Sequence, residues 1–286
     1  MTKEDYYMHF PFKKLGLALT FSPTGLALLK ETKRLKELFN SEIVLIHSGK
    51  KGNESEQKLG KMIDDSGLEK QSTEVIWAQG NPANEILKAT KSANIDLLIA
   101  GALEKEPVLK YYLGSVARKI MREASSSVLI IESPSEVASG FKKFCVSTDY
   151  SQDSESVIKL SYQFALMENA YEFIIVRDIY TPGLSSAAME SGSTSNAEEV
   201  ISIFQKEEEE KLNMFVRELN LKGIPVIVKC LYGREGWAER DFVQNNNIDI
   251  FTVNGKTKKF YFFDRLFPNE LEFSIKHLPS NLLILR

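Results

Sequence analysis

One pattern is written twice in this chain, and that repetition limits the available folds more than any other feature. KKLGLALTFSPTG, beginning at Lys13, returns as KKFCVSTDYSQDS at Lys142. NIDLLIAGA at Asn94 returns as NIDIFTVNG at Asn247, and SSVLIIE at Ser126 returns as SNLLILR at Ser280. The pieces come in the same order in both halves, so the chain reads as two copies of one unit, residues 1–135 and 141–286. Ser133–Gly140 (SPSEVASG) is a linker of turn formers between them. The second copy carries an insertion near 178–198, rich in Gly, Ser and Ala.

Within the first copy, β-branched runs alternate with amphipathic stretches. Leu15–Thr20 reads as a strand, and Ser22-Pro23-Thr24 as a cap with proline at the first helical position. Leu26, Leu29, Leu35 and Leu38 form the apolar side of the helix that follows. Ile43–His47 and Thr73–Ala78 are strands, with a short helix at Gln57–Ser66 between them. A helix starts at Pro82, a fourth strand ends at Ala100, a helix covers Ser115–Ala124, and Ser127–Glu132 is the last strand. This alternation predicts an α/β fold: two tandem Rossmann-like domains, each a five-stranded, mainly parallel sheet with helices on both faces. Near-continuous apolar runs such as LLIA and VLII fit strands buried on both sides.

Composition narrows the function. Lys and Arg total 36 against 39 Asp and Glu, a net charge of −3, so no basic excess points to nucleic acid or a membrane surface. The acidic run Glu207–Glu210 reads as a solvated helix face. No apolar run approaches the roughly 18 residues that span a bilayer, and MTKEDYYMHF lacks the pattern of a secretory signal. A cytoplasmic location is expected. The two cysteines and three scattered histidines show no metal-ligand spacing, and no nucleophile-and-base constellation emerges.

Ligands of open α/β sheets sit beyond the carboxyl ends of the strands, where strand order reverses. In the first half that edge holds Thr20, Ser22, His47, Ser48 and Gly101, and Gly114-Ser115 opens the following helix. A helix N-terminus with glycine close by suits a phosphate. On spacing alone the plainer reading, a tight turn at Gly101 and a cap at Ser115, comes first.

The stretch from Gly80 to Ile131 resembles the C-terminal part of a universal stress protein domain. It carries Gly80-Asn81-Pro82 with Ile86, then Asp96-Leu97-Leu98-Ile99-Ala100-Gly101, then Gly114-Ser115-Val116 at the family's spacing after position 104. The resemblance extends in pattern over 13–132, and the second half resembles a diverged copy. It implies strand order 3-2-1-4-5 and, in a subset of members, ATP binding: an acid at the end of strand one contacts adenosine, and a glycine motif holds phosphates and ribose. Carried over, the acid position is Thr20 in the first half and Asp149 in the second. The first motif glycine is Gly101 against Asn254, the second is Glu104 against Thr257, and the Gly-Ser pair is Gly114-Ser115 against Pro268-Asn269. Neither half is complete. A carboxylate at position 104 held about 4 Å from a phosphate would cost about 4 kcal/mol at an effective dielectric near 20, unless Glu104 turns to solvent or pairs with Lys105 or Lys110.

The resemblance thus implies a regulatory protein acting by binding rather than turnover. ATP or another adenine nucleotide would be held in the first half by Thr20, Ser22, Gly101, Glu104, Gly114, Ser115 and Val116, with Asp149 as the second half's remnant. Two alternatives stay open: a protein-interaction scaffold that binds no nucleotide, and a slow nucleotide-hydrolysing switch. No metal site is expected. The resemblance also implies that the halves pair through their last strands, Ser127–Ile131 and Asn281–Leu285, whose apolar edges invite it, with a homodimer or an unidentified protein partner left open. One continuous sheet, or halves that fail to superimpose, would count against the duplication. In the implied order, strand two separates Cys145 from Cys230 by about 9–10 Å, too far for a disulfide, so two buried free thiols are expected. Asp96 and Asp249, ahead of strand four in each copy, read as structural. The aromatic run Phe260–Phe263 reads as a core cover, and Lys256–Lys259 as a solvated loop.

Overall fold

The structure is a computed structural model that describes residues 10–105, 109–112, 114–179, 194–233, 237–256 and 278–286. In the first half, β1 (Lys14–Leu19), α1 (Gly25–Phe39), β2 (Glu42–Ser48), α2 (Asn53–Ser66), β3 (Thr73–Ala78), α3 (Pro82–Ser92) and β4 (Leu97–Gly101) follow in turn. Two short strands, β5 (Leu103–Lys105) and β6 (Leu109–Tyr112), then precede α4 (Ser115–Glu123) and β7 (Ser127–Ile131). The second half runs β8 (Lys143–Ser147), α5 (Gln152–Met167), β9 (Glu172–Ile179), α6 (Thr194–Glu218), β10 (Val226–Tyr232), α7 (Trp237–Asn245), β11 (Ile250–Asn254) and β12 (Asn281–Leu285).

Ten of these strands form one sheet in the order β10-β9-β8-β11-β12-β7-β4-β1-β2-β3. Read from either outer edge toward the middle, each half has its strands in the order 3-2-1-4-5, all parallel. The sheet is continuous, which the sequence reading held to be evidence against duplication. That inference is corrected here. The halves meet through their last strands, β7 and β12, paired antiparallel with Leu283 opposite Leu129, and two five-stranded sheets joined this way necessarily make one. An apolar strand such as Leu282-Leu283-Ile284 would otherwise present an unpaired edge.

Helices cover both faces. On one, α1, α2, α5 and α6 pack over β1, β2, β8 and β9 in a core that runs across both halves. Aromatic rings close its seam: Phe39 and Phe164 stand edge to face at 5.0 Å, and Phe10 lies 4.7 Å from Phe39. On the other face, α3, α4 and α7 cover Val44, Leu98, Val128, Ile174 and Phe251.

The repeated aspartates explain part of the duplication physically. Asp96 Oδ2 accepts hydrogen bonds from the Lys13 and Lys14 amides at 2.9 and 2.8 Å. Asp249 Oδ2 does the same for Lys142 and Lys143 at 2.6 and 2.9 Å. In each half one carboxylate ties the start of the central strand to the start of its neighbour. Replacing Asp96 with alanine is expected to lower stability by about 2 kcal/mol, since charge-assisted bonds of this kind contribute about 1.5–3 kcal/mol. Urea unfolding checks it, and the same loss is expected for Asp249→Ala.

Several boundaries differ from the sequence reading. Pro23 is not the first helical residue: α1 starts at Gly25, with Thr24 at its cap and no capping side chain. The Gly25 amide donates to Ser22 O at 3.0 Å, so Ser22-Pro23-Thr24 is a turn. Helix α2 begins at Asn53 rather than Gln57, because Ser55 Oγ accepts the Gly52 amide at 3.0 Å and fixes the first turn. Both cysteines are free, as expected, but Cys230 is only half-buried, being on the outermost strand β10, while Cys145 is fully buried. Most of the insertion near 178–198, and Phe260–Phe263, Thr257–Lys259 and Pro268-Asn269, lie outside the described residues.

Candidate ligand site at the strand divergence

β1 and β4 are neighbours, but the chain leaves β1 toward β2 on one side and leaves β4 toward β7 on the other. At such a divergence the strand ends cannot both be covered by one helix, and a crevice opens. Here it is a cavity of about 230 Å³. Its floor is Ala18, Ala100 and Gly101 at the strand ends, and its walls come from Leu28 of α1, Ile86 of α3 and Ile120 of α4. Hydroxyls of Thr20, Ser22, Thr24 and Ser48 supply its polar rim.

Local sequence builds this corner. Gly25 is required because a Cβ there would meet Thr20 O at 2.5 Å, so α1 can press onto the end of β1 only through glycine. Ser22 and Thr24 share a hydroxyl hydrogen bond at 3.3 Å. Gly101 lies beneath Leu28, 3.2 Å from where a Cβ would stand. Asn81 caps α3 by accepting the Asn84 amide, with Pro82 as first helical residue, so Pro82 and Ile86 are set at the cavity wall. Helix α4 has Gly114 at its cap with extended backbone and no side-chain cap hydrogen bond.

Of the residues singled out from sequence, Thr20, Ser22, Gly101 and Val116 line one cavity. Gly114 and Ser115 are beside it at the start of α4 but not in its lining, Gly114 buried and Ser115 exposed. Glu104 falls in β5, which pairs antiparallel with β6: Leu103 opposes Tyr112 and Lys105 opposes Leu109. Where the resemblance places a glycine motif for phosphate, the structure has two short antiparallel strands, with Glu104 in the first. Asp149 belongs to the other half and is not part of this cavity. His47 is buried with Nδ1 3.1 Å from Leu19 O and its ring between Phe21 and Trp77, so burial lowers its pKa and it acts as core.

Sequence reasoning missed the apolar walls. Ala18, Leu28, Ile86, Ala117 and Ile120 look like ordinary core positions, and only the gap between five elements makes them a site.

In the second half the described side chains at the equivalent strand ends are bonded to neighbouring groups of their own loops. Asp149 Oδ1 accepts from the Ser151 amide at 3.0 Å and from Ser151 Oγ at 2.5 Å. Burial alone would raise its pKa, but these bonds and the charge of Arg177 prevail and lower it. Asn254, at the position of Gly101, accepts the Lys256 amide at 2.9 Å. Arg177 donates to Thr148 O at 3.3 Å and lies over the Tyr150 ring at 5.1 Å. Beneath them the carboxyl of Glu239, 1 % exposed, accepts from Ser147 Oγ at 2.5 Å. Burial and the nearby Asp178 push its pKa up to about 8. Glu239 was not legible as special in sequence, since an acid in a first helical turn is ordinary.

Among the described residues no group of three or more His, Cys, Asp and Glu could hold a metal ion, and no helix is long and apolar enough to cross a membrane.

With this geometry in view, comparison with known proteins is informative. Residues 11–132 match the model of the universal stress protein family. A universal stress protein of Methanocaldococcus jannaschii is 34% identical over 83 residues, 29% of this chain and 47% of that one. One from Methanothermobacter thermautotrophicus is 26% identical over 99 residues, 35% of this chain and 64% of that one. The match therefore spans about half to two-thirds of the length of these curated relatives. Along nearly its whole length the chain shares its fold with a universal stress protein structure from Archaeoglobus fulgidus (TM-score 0.61, 18% identity, 97% of this chain and 99% of that one). A second, from Pseudomonas aeruginosa, superimposes with a TM-score of 0.64 at 17% identity over 96% of this chain and 93% of that one. Over residues 11–132 the chain is similar to the universal stress protein family.

Proposed function

We propose that this protein acts by binding rather than turnover, its first half taking the base and sugar of an adenine compound in the cavity where β1 and β4 diverge. The observation that carries this reading is the cavity itself. It is about 230 Å³, at the strand divergence, and is lined by Thr20, Ser22, Gly101 and Val116 together with apolar walls. An apolar slot with a few hydroxyls at its rim is the usual form of a site that holds a flat ring and orients it. The lining offers hydroxyls and carbon rather than a nucleophile beside a base, which favours retention of a ligand over its conversion. In the second half, the Asp149 and Asn254 side chains at the equivalent strand ends accept amides of their own loops, which favours the first half as the place for the ligand.

Ala117 of α4 is buried and lines the cavity, so Ala117→Leu fills it without touching the sheet. Isothermal titration with adenosine monophosphate should give saturable heat on the full chain. The leucine variant should lose affinity at least about tenfold, while its melting temperature holds or rises, as cavity filling commonly allows. Equal binding by both proteins, or no saturable heat with any adenine compound, would overturn the reading.

A further inference from the structure

We infer that His47 is a positioning residue for the first-half cavity: it holds the turn that carries Thr20 and Ser22 at the rim, and so sets the affinity for the ligand. This rests on the binding reading above and adds the device that shapes its site. The lining includes Leu19, Thr20, Ser22 and Ser48, but neither Phe21 nor His47. Leu19 ends β1, and its carbonyl stands 3.1 Å from His47 Nδ1. A carbonyl only accepts, so Nδ1 carries the hydrogen and donates it. Burial lowers the His47 pKa, which keeps the ring uncharged at neutral pH. The same ring stacks on Phe21, between the two rim residues, at 4.2 Å and a tilt of 35°. Trp77 of β3 braces the imidazole edge to face at 5.0 Å, and Lys58 of α2 lies 4.8 Å from the centre of the Phe21 ring. With the Gly25 amide on Ser22 O, the turn is pinned at its first carbonyl, its middle ring and its last carbonyl.

The second half repeats this clamp with different residues. Arg177 of β9 donates to Thr148 O at 3.3 Å and lies over the Tyr150 ring at 5.1 Å. Lys211 of α6 stands 4.9 Å from that ring, as Lys58 does from Phe21. The places match as well: Leu19 opposes His47, while Thr148 and Arg177 each follow the last pair of their strands, Ser147 with Val176. Histidine and arginine share a flat, N–H-bearing face that can donate and stack at once. What the two copies hold in common is therefore the grip on the turn after the first strand. Hydroxyls on that turn can orient a ligand only if the turn is already still. A loose turn must be ordered at the moment of binding, and that cost is subtracted from affinity.

The test titrates adenosine monophosphate into the full chain by isothermal calorimetry, for wild type, His47→Leu, His47→Asn and Phe21→Ala, with a melting temperature for each. His47→Leu removes the donor and should weaken binding at least about tenfold. Asparagine sets an amide N–H where Nδ1–H stands, so His47→Asn should recover most of that loss, which a merely structural role of the ring would not give. Phe21 is half-buried, so Phe21→Ala keeps the test open if His47→Leu fails to fold, and it too should lose at least about tenfold. Binding by His47→Leu or Phe21→Ala within about threefold of wild type would overturn the inference and leave the adenine reading standing. Equal losses in the leucine and asparagine variants would also overturn it, since the bond to Leu19 O would then carry nothing. No saturable heat with wild type would remove the adenine reading, and the inference with it.

Discussion

Arg34→Ala is expected to lower the unfolding free energy by about 3–5 kcal/mol, the cost of breaking a buried ion pair by removing one partner. Arg34 projects from α1 in the first half. Its guanidinium donates to both oxygens of Glu168, in the second half, at 2.7 and 2.9 Å, and to Glu31 on its own helix at 2.6 Å. The Glu168 and Glu31 side chains are only 3% and 7% exposed, and Arg34 19%. Burial alone would weaken the arginine's hold on its proton, but the bonds to Glu31 and Glu168 outweigh it and raise its pKa. Burial raises the Glu168 carboxyl, with Arg34 opposing that rise. Alanine would leave two buried carboxylates without the guanidinium that bridges them, with Lys142 acting on Glu168 alone. Chemical denaturation of wild type and variant measures the loss. The compensated variant Glu31→Leu/Arg34→Met/Glu168→Leu should recover most of it, because apolar groups of similar volume often replace a buried triad without cost. A loss under about 1 kcal/mol for Arg34→Ala would match a surface pair instead and refute the seam argument.

The second large effect is a pH dependence centred on Glu239. This carboxyl is buried beneath the second half's strand ends, bonded to Ser147, with Asp178 close by and Arg177 partly offsetting that charge. Its pKa rises from 4.5 to about 8, first through burial and then through Asp178. The folded state therefore holds the proton over a range where the unfolded chain has released it. Its stabilising contribution is full below pH about 4.5 and declines as pH rises toward about 8, beyond which the slope disappears. At 1.36 kcal/mol per pKa unit the whole loss is about 3–5 kcal/mol. Glu239→Gln keeps an acceptor for Ser147 but cannot ionise. It should match wild type near pH 5 and exceed it by a few kcal/mol near pH 8.5, a margin of about 3–5 kcal/mol at most. Urea melts at several pH values test this through the difference between the two proteins, which removes the contribution of other titrating groups. A difference that stays constant with pH would show that Glu239 titrates as an ordinary carboxyl.

Much of the architecture could be read from local chemistry. Asn81-Pro82 announced a helix start, and the structure caps α3 at Asn81 with Pro82 first. The apolar runs at Leu97–Gly101 and Ser127–Ile131 became strands buried on both sides because neither could present a polar face. The paired aspartates at 96 and 249 were legible as structural since they recur at the same place in each copy. The candidate site was legible only at its polar rim. Thr20, Ser22 and Gly101 carry chemistry that catches the eye, whereas Leu28, Ala100, Ala117 and Ile120 do not, and they form most of its surface. Position 104 shows the converse: the family resemblance implied a motif position facing phosphate, and the structure places it in β5, paired with β6.

By itself, the order of residues determined that one α/β unit occurs twice and that its last strands are apolar. Periodicity, caps and turn formers act between neighbours a few positions apart, and such signals survive in a linear string. The tertiary structure alone decided that a cavity remains at the first half's strand divergence, that Arg34 reaches Glu168 across the seam, and that Glu239 keeps its proton. Each of these depends on distances between groups far apart in the chain, and on the water excluded from between them, and neither is written in any short stretch of sequence.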